Sequence, residues 1–299
     1  MGKQVSNQKS NKSMQTKLVN LQNKLYLTCS RTGNCCFGKV IYLNPWELFH
    51  LAKEKKITPR EFRDLYSDFG GIRLKFDGKV GYKGLQACSQ YVPNFGCDVH
   101  MGRPLACRLY PLGRQIQNEK VEYMYQGDNF PCLDLCPEVV NLEQLPVGDY
   151  LNDQKTASFE KAQDAYLELM QNIADIAFEL LLETGLAASG DKKTLRIWRK
   201  MGSELPEMLA KRIGQEWLDC LMIPDISEES PIAFVSEHNN LILTKAQEAF
   251  GAIQTHQELH EASVLMMGVA LHLARGLGAN PKELSELWID IAKNNGAKE

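Results

Sequence analysis

The chain has 299 residues, 44% of them hydrophobic and 24% charged, with a formal net charge of −3. That composition excludes a chain disordered throughout and gives no global electrostatic ground for nucleic-acid binding. The length accommodates one large domain or two modest ones.

Residues 1–22 are rich in Lys, Gln, Asn and Ser and read as a flexible tail. They hold no apolar run of the kind a secretory signal needs, so a cytoplasmic location is expected. Met1-Gly2-Lys3-Gln4-Val5-Ser6 has the form of a myristoylation pattern. It is short enough to arise by chance and is read as solvated tail. The longest apolar run, Ala262–Ala274, stops at Arg275 and is too short to span a bilayer, so no membrane partner is expected.

Residues 23–146 form the cysteine-rich part. Asn44-Pro45-Trp46-Glu47 reads as an N-cap with Pro in the first turn, opening a helix to about Lys56. Thr58-Pro59-Arg60-Glu61 is a capping box opening a helix to about Asp68. Ile72–Phe76 alternates like a half-buried strand, with Asp77-Gly78 as its hairpin turn. Val121–Tyr125 reads as a further strand.

Residues 147–299 read as helical. Phe159, Ala162, Tyr166, Met170, Ile173, Ala177 and Leu180 recur at three- and four-residue spacing, and Thr184-Gly185 is a stop signal. Asp191 caps the next helix, Gly276-Leu277-Gly278 closes a later one, and Asn280-Pro281 opens the last. Residues 1–150 carry 20 Lys+Arg against 14 Asp+Glu, so +6. Residues 151–299 carry 14 against 23, so −9.

Eight of the nine cysteines lie between Cys29 and Cys136, and only Cys220 follows. Inert buried thiols scatter, so this segregation needs a cause. In a reducing compartment disulfides are disfavoured and clustered thiols point to a metal. The set is Cys29, Cys35 and Cys36, then Cys88, Cys97 and Cys107, then Cys132 and Cys136. Eight thiolates divide into two sites of four, the number that either tetrahedral zinc or a four-iron cluster takes. Adjacent Cys35 and Cys36, taken as extended chain, point to opposite sides and suit two different metals or a bridging role. Four thiolates around zinc leave about −2, so cations belong in the surroundings. Arg103 and Arg108 flank Cys107 and are read in that role, with Tyr110 as a supporting hydroxyl.

Cys29-Ser30-Arg31-Thr32-Gly33-Asn34-Cys35-Cys36 resembles the CxxCxxCC signature of the YkgJ-like cysteine-cluster family, described as zinc- or iron-chelating proteins. The resemblance continues through Cys97 to Pro111, where Arg103-Pro104 precedes Cys107-Arg108-Leu109-Tyr110-Pro111. Cys88 and Cys136-Pro137 match as well. Two departures stand out. Thr32 occupies the second cysteine position, and Cys132 is an extra cysteine near Cys136. Cys132 is therefore read as a spatial substitute for the missing ligand. Flagellin lysine N-methylases look similar in this region, which makes methyl transfer to a protein lysine a named alternative.

Outside this set, His256 and His260 share a helix face. The zincin Glu is replaced by Gln257, so they are read as surface residues. His272 reads as core, Cys220 as a buried thiol, and His100 as a minor ligand candidate. There is no P-loop and no GxGxxG.

The reading is an α+β protein: an irregular metal-stapled domain with short helices and a small antiparallel hairpin, followed by an α-helical region. Its expected function is cytoplasmic metal binding, with zinc or iron (in the iron case as an iron–sulfur cluster) on eight thiolates. Catalysis is left open. The acidic helical half is the expected surface for a protein partner, giving a metal-stabilised adaptor as a further alternative.

Overall fold

The computed structural model describes residues 17–28, 33–117, 120–125, 137–182 and 191–298. In chain order come strands β1 (Lys17–Val19) and β2 (Lys24–Leu25), then helices α1 (Pro45–Lys55) and α2 (Pro59–Tyr66). Strands β3 (Ser67–Asp68), β4 (Arg73–Leu74), β5 (Tyr91–Val92) and β6 (Gly96–Cys97) follow, with the short helix α3 (Leu105–Leu109). Next are β7 (Leu112–Gln117), β8 (Lys120–Tyr125), β9 (Leu145–Pro146) and α4 (Val147–Asp153). The remainder is helical: α5 (Thr156–Leu182), α6 (Asp191–Ser203), α7 (Pro206–Ile213), α8 (Gln215–Met222), α9 (Pro231–Phe250), α10 (His256–Gly276) and α11 (Pro281–Asn294). This is the α+β class, with small antiparallel sheets early and helices late. No described helix is long and apolar enough to cross a membrane.

The chain divides into two units, Met1–Cys35 with Leu109–Gln154, and Cys36–Arg108 with Lys155–Glu299. In the first unit β1, β8 and β7 form an antiparallel sheet in that order. Within the stretch expected as tail, Lys17–Val19 thus pair with Tyr123–Tyr125. The strand expected at Val121–Tyr125 is β8, and its partner β7 escaped the sequence reading. Leu112–Gln117 carries Gly113 and three polar residues, so its hydrophobic alternation is faint. β2 pairs with β9, and the Asn23 and Leu21 carbonyls accept from the Val147 and Gly148 N–H groups at 3.0 and 2.9 Å, seating α4.

In the second unit, α10 is buried along nearly its whole length from Ala262 to Gly276 and lies against α5, α6 and α7. Such all-round burial explains an apolar run without a clean amphipathic stripe. Gly276 permits close packing there, since a Cβ on it would stand 2.7 Å from the Leu43 carbonyl oxygen. Trp198 meets Phe178 edge-on at 5.6 Å between α6 and α5, and Trp46 meets Phe234 at 5.2 Å between α1 and α9. The capping signals hold: Asn44 and Thr58 both make reciprocal boxes with Glu47 and Glu61. Thr184-Gly185 lies outside the described residues.

Two local expectations are corrected. The helix opened by Thr58 ends at Tyr66, two residues early, and the chain turns at once into β3. β4 pairs backward with β3, not forward across Asp77-Gly78. The reason is glycine chemistry. Gly70 and Gly71 have φ of +73° and +120°, open to residues without a Cβ, and provide the turn. Arg73 closes the hairpin, donating to Asp68 at 2.7 Å and stacking on Phe69 at 4.3 Å.

Candidate metal centre

The cysteines are held by short, irregular pieces of backbone. Asn34–Cys36 form a 3-10 turn, not the extended chain expected for the adjacent pair. Successive side chains in such a turn still diverge, by about 120°. The division between the two units falls between Cys35 and Cys36. Cys29, Thr32, Cys132 and Cys136 lie outside the described residues, so the reading of Cys132 as a replacement ligand lies there too.

In the second unit, segments 36–38 and 86–88 run antiparallel. Phe37 bridges Ala87, the Cys88 N–H donates to the Cys36 carbonyl at 2.7 Å, and the Gly38 N–H donates to the Gln86 carbonyl at 3.0 Å. This ladder brings the backbones of Cys36 and Cys88 together. The β5–β6 hairpin then returns the chain, pairing Tyr91 with Cys97, so that Cys97 acts electrostatically on Cys88.

Cys88 opens the turn that leads into β5. Its carbonyl accepts from the Tyr91 N–H at 2.9 Å, and its Sγ accepts from the Gln90 N–H at 3.5 Å. Backbone donors to sulfur stabilise the anionic form. Burial acts more strongly the other way, and the Cys88 thiol is pushed up to about 12. A buried thiol of this kind is protonated at neutral pH, and metal ligation releases the proton.

Cys107 comes from α3, half-buried, with Arg108 beside it at 3% exposure. Arg108 donates from Nε to the Arg103 carbonyl at 2.8 Å and from Nη2 to the Met101 carbonyl, and it stacks on Phe159 at 4.0 Å. Burial, with Arg103 next, lowers it to about 10, while Glu47 and Cys107 pull upward. Arg103 contacts His100 Nε2. Tyr110 is in the other unit, where its carbonyl accepts from the Tyr150 hydroxyl at 2.6 Å.

The donor chemistry suits a thiophilic metal: soft sulfur, the Gln90 N–H directed at the Cys88 sulfur, and a buried cation beside Cys107. Among the described residues no two cysteines are joined by a disulfide, and no three His, Cys, Asp or Glu side chains form a group able to hold a metal ion.

Residues 28–127 match the family model CxxCxxCC, "Putative zinc- or iron-chelating domain". The match covers about a third of the chain and includes Cys29, Cys35, Cys36, Cys88, Cys97 and Cys107. No curated protein and no solved structure matches the chain.

The other candidates resolve as structural residues. His260 is buried, with Nδ1 bonded to Thr194 Oγ1 at 2.7 Å, so it is not the surface residue expected, while His256 is exposed at the start of α10. His272 is fully buried, as expected of a core residue. Cys220 is only half-buried, with burial raising its thiol. Two residues at the centre went unnoticed in the sequence. Glu47 is 3% exposed and reaches α3, and Gly102 lets the segment before α3 approach α1. Gly102-Arg103-Pro104 was visible only as part of the motif, without its packing role.

Proposed function

We propose that this protein is a cytoplasmic metal-chelating protein whose CxxCxxCC-type segment holds zinc or an iron–sulfur cluster on thiolates from Cys29, Cys35, Cys36, Cys88, Cys97, Cys107, Cys132 and Cys136. The observation that carries the reading is the family match over residues 28–127. It is supported by the backbone N–H that Gln90 directs at the Cys88 sulfur, with Cys97 close by. Chelation at minimum stabilises this irregular region, which has few long elements of its own.

Anaerobic purification followed by elemental analysis and an absorbance spectrum tests it. Colourless protein with about two zinc per chain establishes zinc on two four-thiolate sites. Brown protein with iron and labile sulfide establishes a cluster. Protein with neither, and with all eight thiols titratable without denaturant, overturns the proposal.

A further inference from the structure

We infer that Glu47 is a positioning residue for the cysteine centre: from α1, its buried carboxyl grips the first residue of α3, so that Cys107 is presented in one fixed orientation. The inference rests on the chelation reading above.

Glu47 is 3% exposed. Its Oε2 accepts from the Asn44 N–H at 3.0 Å, within its own capping box. Its Oε1 accepts from the Leu105 N–H at 2.7 Å, a residue 58 positions further along the chain. Leu105 begins α3, so this N–H has no acceptor within its own helix. Both carboxyl oxygens thus receive a backbone donor, one from the start of α1 and one from the start of α3.

Arg108, next to Cys107, is itself buried, held by the Arg103 and Met101 carbonyls and by the face of Phe159. Its charge favours the ionised form of Glu47 against the larger, opposite effect of burial. Glu54, two turns further along α1, also acts on Arg108.

Packing agrees with the hydrogen bonds. A Cβ on Gly102 would stand 2.4 Å from the His50 carbonyl oxygen and 2.8 Å from Glu54 Cβ, so the segment entering α3 lies directly on α1. Asn44 extends the anchorage, donating to Gln163 Oε1 at 3.0 Å, and Gln163 donates to the Leu277 carbonyl at 2.8 Å. Through Asn44, the start of α1 is thus tied to α5 and to the end of α10.

The test uses the full chain. In metal-free protein, alkylation by iodoacetamide is followed at each cysteine by peptide mass spectrometry, with Cys220 as internal reference. Cobalt(II) affinity and the sulfur-to-cobalt absorption are measured in parallel. Glu47→Gln should alkylate at Cys107 at least about tenfold faster relative to Cys220 and bind cobalt about tenfold more weakly, with diminished charge-transfer absorption. Glu47→Asp, which keeps both carboxyl oxygens, should recover part of both. Ile289→Val, a core change in α11, should leave the Cys107-to-Cys220 ratio where it is. A folded Glu47→Gln protein with wild-type Cys107 reactivity and cobalt affinity overturns the inference.

Amide exchange of the wild-type protein decides it without any variant. The Leu105 amide should exchange as slowly as that of Leu51 in α1, and exchange at the rate of an open loop overturns the inference. Failure of the chelation reading looks different. Wild-type protein would then bind neither zinc nor cobalt while Leu105 stays protected and Glu47→Gln still exposes Cys107.

Discussion

Tyr166 and His238 are joined across α5 and α9 by a hydrogen bond of 3.0 Å between the phenol oxygen and Nδ1, while Nε2 lies 2.9 Å from the Cys220 carbonyl. The carbonyl can only accept, so Nε2 carries the proton and the Tyr166 hydroxyl donates to Nδ1. Both side chains are fully buried. Tyr166→Phe leaves a buried imidazole nitrogen without a donor and should cost about 1–3 kcal/mol. The urea midpoint at pH 7 measures it, and an unchanged midpoint would show that the bond carries no net stability.

The same histidine shapes the acid side of the stability curve. Burial lowers His238 to about 4. Between its ordinary value near 6.5 and about 4, the unfolded chain takes up a proton that the folded chain refuses. Stability should therefore fall as pH drops through that window, by up to about 3.5 kcal/mol at about 1.4 per unit. Glu47 acts in the opposite sense. Burial raises it to about 7, so the folded chain keeps a proton that the unfolded chain has released above about 4.5. Its contribution is fully present below that value and is lost as pH rises through 7. Urea midpoints from pH 4 to 7 should show a shallower acid decline in His238→Asn and a steeper one in Glu47→Gln; parallel curves for all three proteins would refute both assignments.

Gly102→Ala should be harmful although the change is one methyl group. The added carbon meets the His50 carbonyl oxygen, which is helix backbone and cannot turn aside. Separating α1 from the segment before α3 should cost about 1–3 kcal/mol. Thermal unfolding, read together with cobalt affinity, checks it. A loss of stability alone would locate the contact in packing, and a loss of both would extend it to the cysteine centre.

Metal dependence should sort the cysteines. Cys88→Ser should lower the metal content of protein purified without oxygen, and Cys220→Ser should leave it at the wild-type level. Chelator treatment should lower the thermal midpoint of wild type and of Cys220→Ser alike, and have less effect on Cys88→Ser. Equal metal content in all three proteins would remove Cys88 from the ligand set.

Local chemistry was legible in the sequence. Asn44, Thr58 and Asn280 each satisfy helix N–H groups within three residues, so their signals survive folding unchanged. The period of α5 was legible because one face meets a continuous core. What escaped depends on residues far apart in the chain. The Glu47–Leu105 bond spans 58 positions, and nothing around Glu47 marks it as buried. β7 and β1 have little hydrophobic alternation, and only β8 between them makes them strands. The motif cysteines were easily found, whereas the ladder from Cys36 to Cys88 exists only in three dimensions.

The region matching the family ends at residue 127, but the fold does not divide there. Cys36–Arg108 belongs to the same unit as Lys155–Glu299, with Trp46 set against Phe234 and Arg108 against Phe159. A fragment cut at 28 and 127 would bare Trp46 and strand Arg108 in solvent. The cysteine motif is therefore not a portable cassette. Grafted onto another scaffold, it would need α5 and α9 to come with it, and sequence drift in those late helices should be felt at the thiols before it is felt at the surface.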